Sequence, residues 1–212
     1  MIFAVTGNTR AFDAAAGEKI VPVTEHEAFD LSGEKWNLVI HSYGPGGDSG
    51  DPGVSRITDV DFGVQPLGKW SDIPATEEQL RTLGVSGMKY VSGAGEYTAE
   101  FTAPADWDSY AGAFIAFDYG RDQIGSVTVN GRELAANNAS DRVDAGTLIT
   151  GGENTITVRL STTLYGRTYA EHSGYQDAGA VFGMGAGIMD PPDPGAYFNG
   201  LLSVRIIPYS TR

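Results

Sequence analysis

Short strand-like runs parted by turn formers recur along this chain, and a 3.6-residue period survives in only one place. The sequence carries 29 glycines and 10 prolines. Both residue types break helices, which argues against bundles and coiled coils. Residues 36–41 (WNLVIH) read as a compact strand with Trp36 in the core. Residues 96–101 alternate, which puts Tyr97, Ala99 and Phe101 on one face. Residues 113–117 are apolar on both faces, as a central strand requires. Residues 126–129 and 132–134 flank Asn130-Gly131, the pair that supplies the two positive-φ positions of a type I′ hairpin. Residues 154–160 alternate with Ile156, Val158 and Leu160 facing inward, and residues 201–207 form the last strand. This spacing of short strands and turns predicts an all-β fold, a jelly-roll β-sandwich with one or two short helices.

The one helix signal is at 76–84. Thr76 and Gln79 have capping-box spacing, and Gly84 is placed to stop the helix. Trp107, after Pro104-Ala105-Asp106, is expected to cap the core. His26 and His41 are read as surface or hydrogen-bonded structural histidines, and Asp144 and Asn154 as turn formers. Two stretches fit the strand scheme poorly. Residues 44–56 form a Gly/Asp/Pro loop, and 165–199 read as a long Gly- and Tyr-rich loop, a length that is usually functional or braced on a neighbour. Residues 1–27 read as an N-terminal extension or the tail of a preceding domain, and 28–212 as the sandwich.

The order of segments from residue 93 onward carries a resemblance. Residues 95–104 (GEYTAEFTAP) come first, then the apolar strand ending in Phe117-Asp118-Tyr119-Gly120. Residues 127–134 (VTVNGREL), 142–149 (RVDAGTLI) and 151–158 (GGENTITV) follow, and 199–209 (NGLLSVRIIPY) close the set. Residues 29–36 and 66–74 look like its lead-in. The set resembles the galactose-binding-domain-like β-sandwich attached to family 2 glycoside hydrolases, and the C-terminal module of the family 106 α-L-rhamnosidases. It covers roughly residues 28–209. The resemblance implies an accessory sandwich beside a catalytic barrel that this chain does not contain. The catalytic domain of the same polypeptide would then be its partner, in a bacterial protein that is extracellular, periplasmic or displayed on the cell surface.

Composition narrows the function independently. The formal net charge is −13, which argues against nucleic acid or an anionic membrane as a partner. No run approaches the ~18 apolar residues of a membrane span. There are no cysteines, so disulfides, thiolate metal sites and a cysteine nucleophile are excluded. Gly183-Met184-Gly185-Ala186-Gly187 has neither the serine of a nucleophile elbow nor the Lys-Ser/Thr of a phosphate loop. No carboxylate pair carries a glycosidase motif, so no catalytic residue is nominated. No cofactor is required. Calcium is considered at Asp48, Asp51, Asp59 and Asp61, oxygen donors near the glycine-rich loop. The alternative there is a solvated acidic loop.

A glycan ligand calls for aromatic rings flanked by charged or amide groups. The ring candidates are Trp70, Trp107, Tyr110, Tyr119, Tyr165, Tyr169, Tyr175 and Tyr197. Their polar companions are Arg121, Asp122, Arg167, Glu171, His172, Gln176, Asp177 and Asn199. The richest stretch runs from 165 to 177. The expected sugar site is Tyr165, Arg167, Tyr169, Glu171, His172, Tyr175, Asp177, Tyr197 and Asn199, with Tyr119 and Arg121. Alternatively these tyrosines pack the segment onto the sandwich or a neighbouring domain. Exposed Phe182, Met184, Ile188, Met189 and Phe198 would favour that reading. A third reading is a small stand-alone glycan-active enzyme, which needs acids converging in a cleft with perturbed pKa values.

Overall fold

Period-two alternation builds two antiparallel sheets, seen in a computed structural model that describes residues 22–45, 55–120, 122–134, 141–171 and 198–211. In chain order the strands are β1 (Val23–Glu25), β2 (Phe29–Asp30), β3 (Trp36–Pro45), β4 (Ser55–Gln65), β5 (Gly93–Ala103) and β6 (Gly112–Tyr119). They continue as β7 (Gln123–Val129), β8 (Arg132–Leu134), β9 (Arg142–Gly146), β10 (Gly152–Ser161) and β11 (Leu201–Thr211). Two α-helices, α1 (Glu77–Leu83) and α2 (Tyr165–Glu171), lie outside the sheets. One sheet runs β1-β11-β6-β9, with β2 also on β11; the other runs β4-β3-β5-β10-β7-β8. The all-β sandwich expected from the sequence is therefore the observed fold. β1 lies ahead of residue 28 and pairs with the end of β11, Val23 opposite Thr211.

The inward faces are those the alternation predicts. Tyr97, Ala99 and Phe101 of β5 are buried, as are Ile156, Val158 and Leu160 of β10. They meet Ile115 and Phe117 of β6 and Val204 and Ile206 of β11 across the core. Trp36 is fully buried, and its Nε1 donates to the Leu31 carbonyl at 3.0 Å. The β7–β8 hairpin has Asn130 at φ 50° and Gly131 at φ 77°, the two positive values of a type I′ turn. Asn130 Nδ2 also donates to Asn154 Oδ1 and to the Leu148 carbonyl, both at 2.8 Å. The turn is thus fastened to β10 by the buried amide of Asn154.

Helix α1 has the predicted capping box. Gln79 N donates to Thr76 Oγ1 at 3.1 Å, Thr76 N donates to Gln79 Oε1 at 2.9 Å, and Gly84 ends the helix at φ 68°. Two expectations need correction. The first turns of the segment beginning at 165 are helical, not loop. Trp70 is 1% exposed and cannot serve as a stacking platform. Its Nε1 donates to the Tyr97 hydroxyl at 2.6 Å, and a side chain on Gly95 would come within 2.6 Å of its ring. Trp107 is buried against Tyr110 and Phe29, as a core cap should be.

Replacing Trp70 by Phe takes the main donor from a buried hydroxyl, which costs roughly 1–3 kcal/mol. Trp70→Phe is expected to lose stability of that order in urea denaturation while leaving sugar affinity unchanged.

Candidate functional site

Helix α2 has poor intrinsic propensity, with Gly166, Thr168 and two tyrosines in seven residues. Tertiary contacts supply what propensity lacks. Gly166 is buried so closely on residues 88–90 that an added Cβ would lie 2.9 Å from the Lys89 carbonyl. Arg167 N donates to Ser92 Oγ at 3.1 Å, and Arg167 Nη1 donates to the Leu83 carbonyl at 2.8 Å. The second bond satisfies a carbonyl in the last turn of α1.

Four residues apart on one helix face, Tyr165 and Tyr169 have ring centroids 6.2 Å apart and planes tilted by 48°. Tyr169 stacks on Tyr90 at 6.3 Å and 11°, and Lys89 Nζ stands 5.0 Å above the Tyr90 ring. All three tyrosines are half-buried. Each therefore packs on its neighbours while part of the residue stays in solvent.

The structure gathers Tyr165, Arg167 and Tyr169 on one element and adds Tyr90, which the sequence reading did not nominate. Asn199 lies nearby in the fold, but its amide is engaged: Nδ2 donates to the Val91 carbonyl at 3.3 Å. Tyr119 ends β6 opposite Leu201. Burial, with Asp141 and Asp122 adding, pushes its hydroxyl pKa up. Glu171 closes α2. Arg121, His172, Tyr175, Asp177 and Tyr197 lie outside the described residues. So do Phe182, Met184, Ile188 and Met189, whereas Phe198 is half-buried with Lys69 Nζ 4.8 Å over its ring.

Of the calcium candidates, Asp59 pairs with His41 Nδ1 at 2.7 Å, and Asp61 Oδ1 accepts from Gly63 N at 2.7 Å. Both are exposed on β4; Asp48 and Asp51 lie outside the described residues. Among the described residues no three His, Cys, Asp or Glu side chains gather at metal-binding distance. No helix there is long and apolar enough to cross a membrane.

A cleft of about 150 Å³ opens beside α2, between the end of α1 and the β3–β4 hairpin. Arg56, Arg81 and Arg167 all line it, with Ser42, Thr58 and Gly44. Arg56 escapes the sequence reading because β4 is not recognised there as a strand, and Arg81 because nothing local to the predicted helix marks it as a site residue.

Asp122 is the acid most altered by its surroundings. It is 6% exposed; Oδ2 accepts from Gly200 N at 2.7 Å, and Oδ1 has no partner. Burial pushes its pKa up to about 7, the Gly200 bond opposing.

No protein-family model matches this chain, and no curated protein does. Solved structures with a similar course include a β-glucuronidase from Ruminococcus gnavus in complex with N1-substituted uronic isofagomine. It shows 15% identity and a TM-score of 0.46, over 86% of this chain and 29% of that one. A rhamnosidase from Novosphingobium sp. PP1Y shows 19% identity and a TM-score of 0.49, over 90% of this chain and 16% of that one. Both are glycoside hydrolases, and this chain spans less than a third of either.

The raised pKa of Asp122 has a stability signature. Folded, it holds its proton up to about pH 7; its ordinary value is 3.8. Between these values the folded state binds more protons than the unfolded state, so stability falls as pH rises. Asp122→Asn keeps an acceptor for Gly200 and cannot ionise. Its melting temperature relative to the parent should therefore climb from pH 5 to pH 8. A difference that stays level across this window would mean Asp122 is ionised in the fold throughout.

Proposed function

We propose that this sandwich is a non-catalytic carbohydrate-binding module, an accessory part of a glycoside hydrolase acting on rhamnose-, galactose- or arabinose-containing glycans. Its partners on this reading are the glycan and a catalytic domain of the same polypeptide, in a bacterial protein working outside the cytoplasm. The observation that carries the reading is the ring group Tyr90, Tyr165 and Tyr169, with Lys89 Nζ over the Tyr90 ring. A pyranose presents C–H groups on its face and hydroxyls on its rim. Half-buried rings offer area for the first, and neighbouring polar groups offer hydrogen bonds for the second. Mutual stacking fixes Tyr169 before any ligand arrives, which reduces the ordering cost of binding. Such a module raises the concentration of substrate near a tethered catalytic domain without doing chemistry itself.

A second reading, a structural sandwich packed on a neighbouring domain, has one observation in its favour. The edge strand β4 exposes Ile57 at 61% and Val64 at 62%, and exposed apolar side chains on a sheet edge invite a cover.

Thermal-shift and calorimetric titration with rhamnose, galactose, arabinose and pectic oligosaccharides separates the two readings. Binding to the folded state at about ten times Kd adds roughly 1.4 kcal/mol. A saturable rise in midpoint is expected, and it should be lost in Tyr165→Ala and Tyr169→Ala. A flat response to every sugar at millimolar concentration moves the weight to the structural reading. Calcium, considered at Asp48, Asp51, Asp59 and Asp61, is tested in the same assay with and without chelator.

A further inference from the structure

The inner face of the β3–β4 hairpin changes character along its length. Leu38 and Ile40 of β3 and Val60 and Phe62 of β4 are buried in the core. Two residues further along each strand the same face carries Ser42 opposite Thr58, and then Gly44 opposite Arg56. Alternation alone would continue the apolar series, and polar residues at inward positions are errors of design unless they serve a function. Ser42 among them is also shut away from solvent. The ends of α1 and α2 close over them to form the cleft described above.

Three arginines from three distant parts of the chain meet in this cleft: Arg56 from β4, Arg81 from α1 and Arg167 from α2. The whole chain has only 14 Lys and Arg against 27 Asp and Glu, and no carboxylate lines the cleft among the described residues. Gathering like charges is unfavourable unless something compensates them. Arg167 has the Leu83 carbonyl. Arg56 and Arg81 have no ion-pair partner among the described residues. A second observation points to a ligand independently. Ser42 is 2% exposed, lines the cleft, and its Oγ has no hydrogen-bond partner. A buried hydroxyl in that state costs free energy unless a partner arrives.

We propose that this cleft is an anionic subsite that takes the carboxylate of an acidic sugar, with Arg56, Arg81 and Arg167 around the charge and Ser42 Oγ donating to the ligand. The proposal rests on the carbohydrate-binding reading and names its ligand class. Guanidinium groups suit a carboxylate because their N–H fork matches its two oxygens. A cavity of about 150 Å³ is the size that holds one benzene in an engineered core, so the cleft has room for one end of a sugar ring and not for a chain. Arg167 is aimed by glycine on both sides. A Cβ on Gly44 would stand 2.9 Å from its Nη2, and one on Gly84 would stand 3.3 Å from it.

The test is a matched pair of probes, galacturonate and galactose, titrated into the full chain by calorimetry, with inorganic sulfate as a third arm. Galacturonate should bind about tenfold or more tighter than galactose, the scale of one charge-assisted hydrogen bond. That preference should shrink in high salt. Arg56→Gln and Arg81→Gln, both at exposed positions, should each reduce it severalfold, and the double variant should lose most of it. Gly44→Ala provides a variant that leaves these arginines in place. Its methyl displaces the end of Arg167 and strains the bond to the Leu83 carbonyl, so the preference should fall with only a small drop in melting temperature. Equal affinity of the parent chain for the two sugars, or a preference undiminished in the double variant, overturns the anionic subsite and leaves the carbohydrate-binding reading standing. Sulfate binding without galacturonate binding also overturns it. No response to any sugar, acidic or neutral, overturns both.

Discussion

The hydroxyl of Tyr97 joins the two sheets at the end of the sandwich that carries the candidate site. It accepts from Trp70 Nε1 at 2.6 Å and from Leu201 N at 3.4 Å, all in the buried interior. Tyr97 belongs to β5 and Leu201 to β11, so one oxygen ties a strand of each sheet to the connecting segment around Trp70. Burial pushes the pKa of this hydroxyl up to about 12, which keeps it neutral and able to donate as well as accept. The residues at the entry to β11 are held from other sides. Gly68 N donates to the Leu201 carbonyl, Trp70 N to the Asn199 carbonyl, and Gly200 N to Asp122. From Asn199 the next bond reaches the Val91 carbonyl, beside the turn that carries Tyr90. Tyr90 in turn stacks on Tyr169 of α2. The rings of the candidate site are therefore positioned through a chain of contacts that starts in the core, and a weakened core bond at Trp70 would be felt first as stability.

The charge of the chain gives the cleft its meaning. With a formal net charge of −13, an acidic ligand approaches against a repulsive mean field, which slows encounter at low salt. Local concentration of guanidinium groups is the means by which such a protein can still hold an anion. Surface arginines scattered singly would be screened and contribute little. Placed together in a cleft under two helix ends, with water partly excluded, each interacts more strongly with a shared ligand. The C-terminal carbonyls of α1 point the opposite way in charge, and one of them, that of Leu83, is used to fix Arg167.

How much of this was legible in the sequence follows from the range of the interactions involved. The capping box at Thr76 and Gln79 and the Asn130-Gly131 turn are local, and both stand as the residues predict. The inward faces of β5 and β10 follow from period-two alternation. Strand β4 was not legible. Thr58, Asp59 and Asp61 put polar groups on both its faces, and a register shift opposite Leu38, with Gly63 at φ 64°, breaks its period. Helix α2 was read as loop because its helicity comes from Lys89, Ser92 and Leu83, residues far away in the chain. Trp70 looked like a free aromatic because nothing near it in sequence announces Tyr97 or the space left by Gly95. Of the expected sugar-site residues, Tyr165 and Tyr169 pair on one face of α2, while Arg167 turns to the end of α1. The arginine cleft was invisible because its members meet only in the folded chain.

Helix α2 separates two kinds of surface. Tyr165 and Tyr169 share one face by their four-residue spacing, while Arg167, two residues from each, must point elsewhere. The rings look outward beside Tyr90, and the guanidinium reaches under α2 to the end of α1 and to Gly44. An α-helix with its side chains is about 10–12 Å across, wider than one sugar ring. On the proposed reading a single monosaccharide therefore occupies either the aromatic face or the cleft, and only an oligosaccharide bridges both. Contacts linked in this way act through effective concentration, so two weak subsites on one glycan can give an affinity that neither has alone. A ligand with an acidic residue next to a neutral one would satisfy both surfaces, and the order of those residues along the glycan would decide its direction across the sandwich.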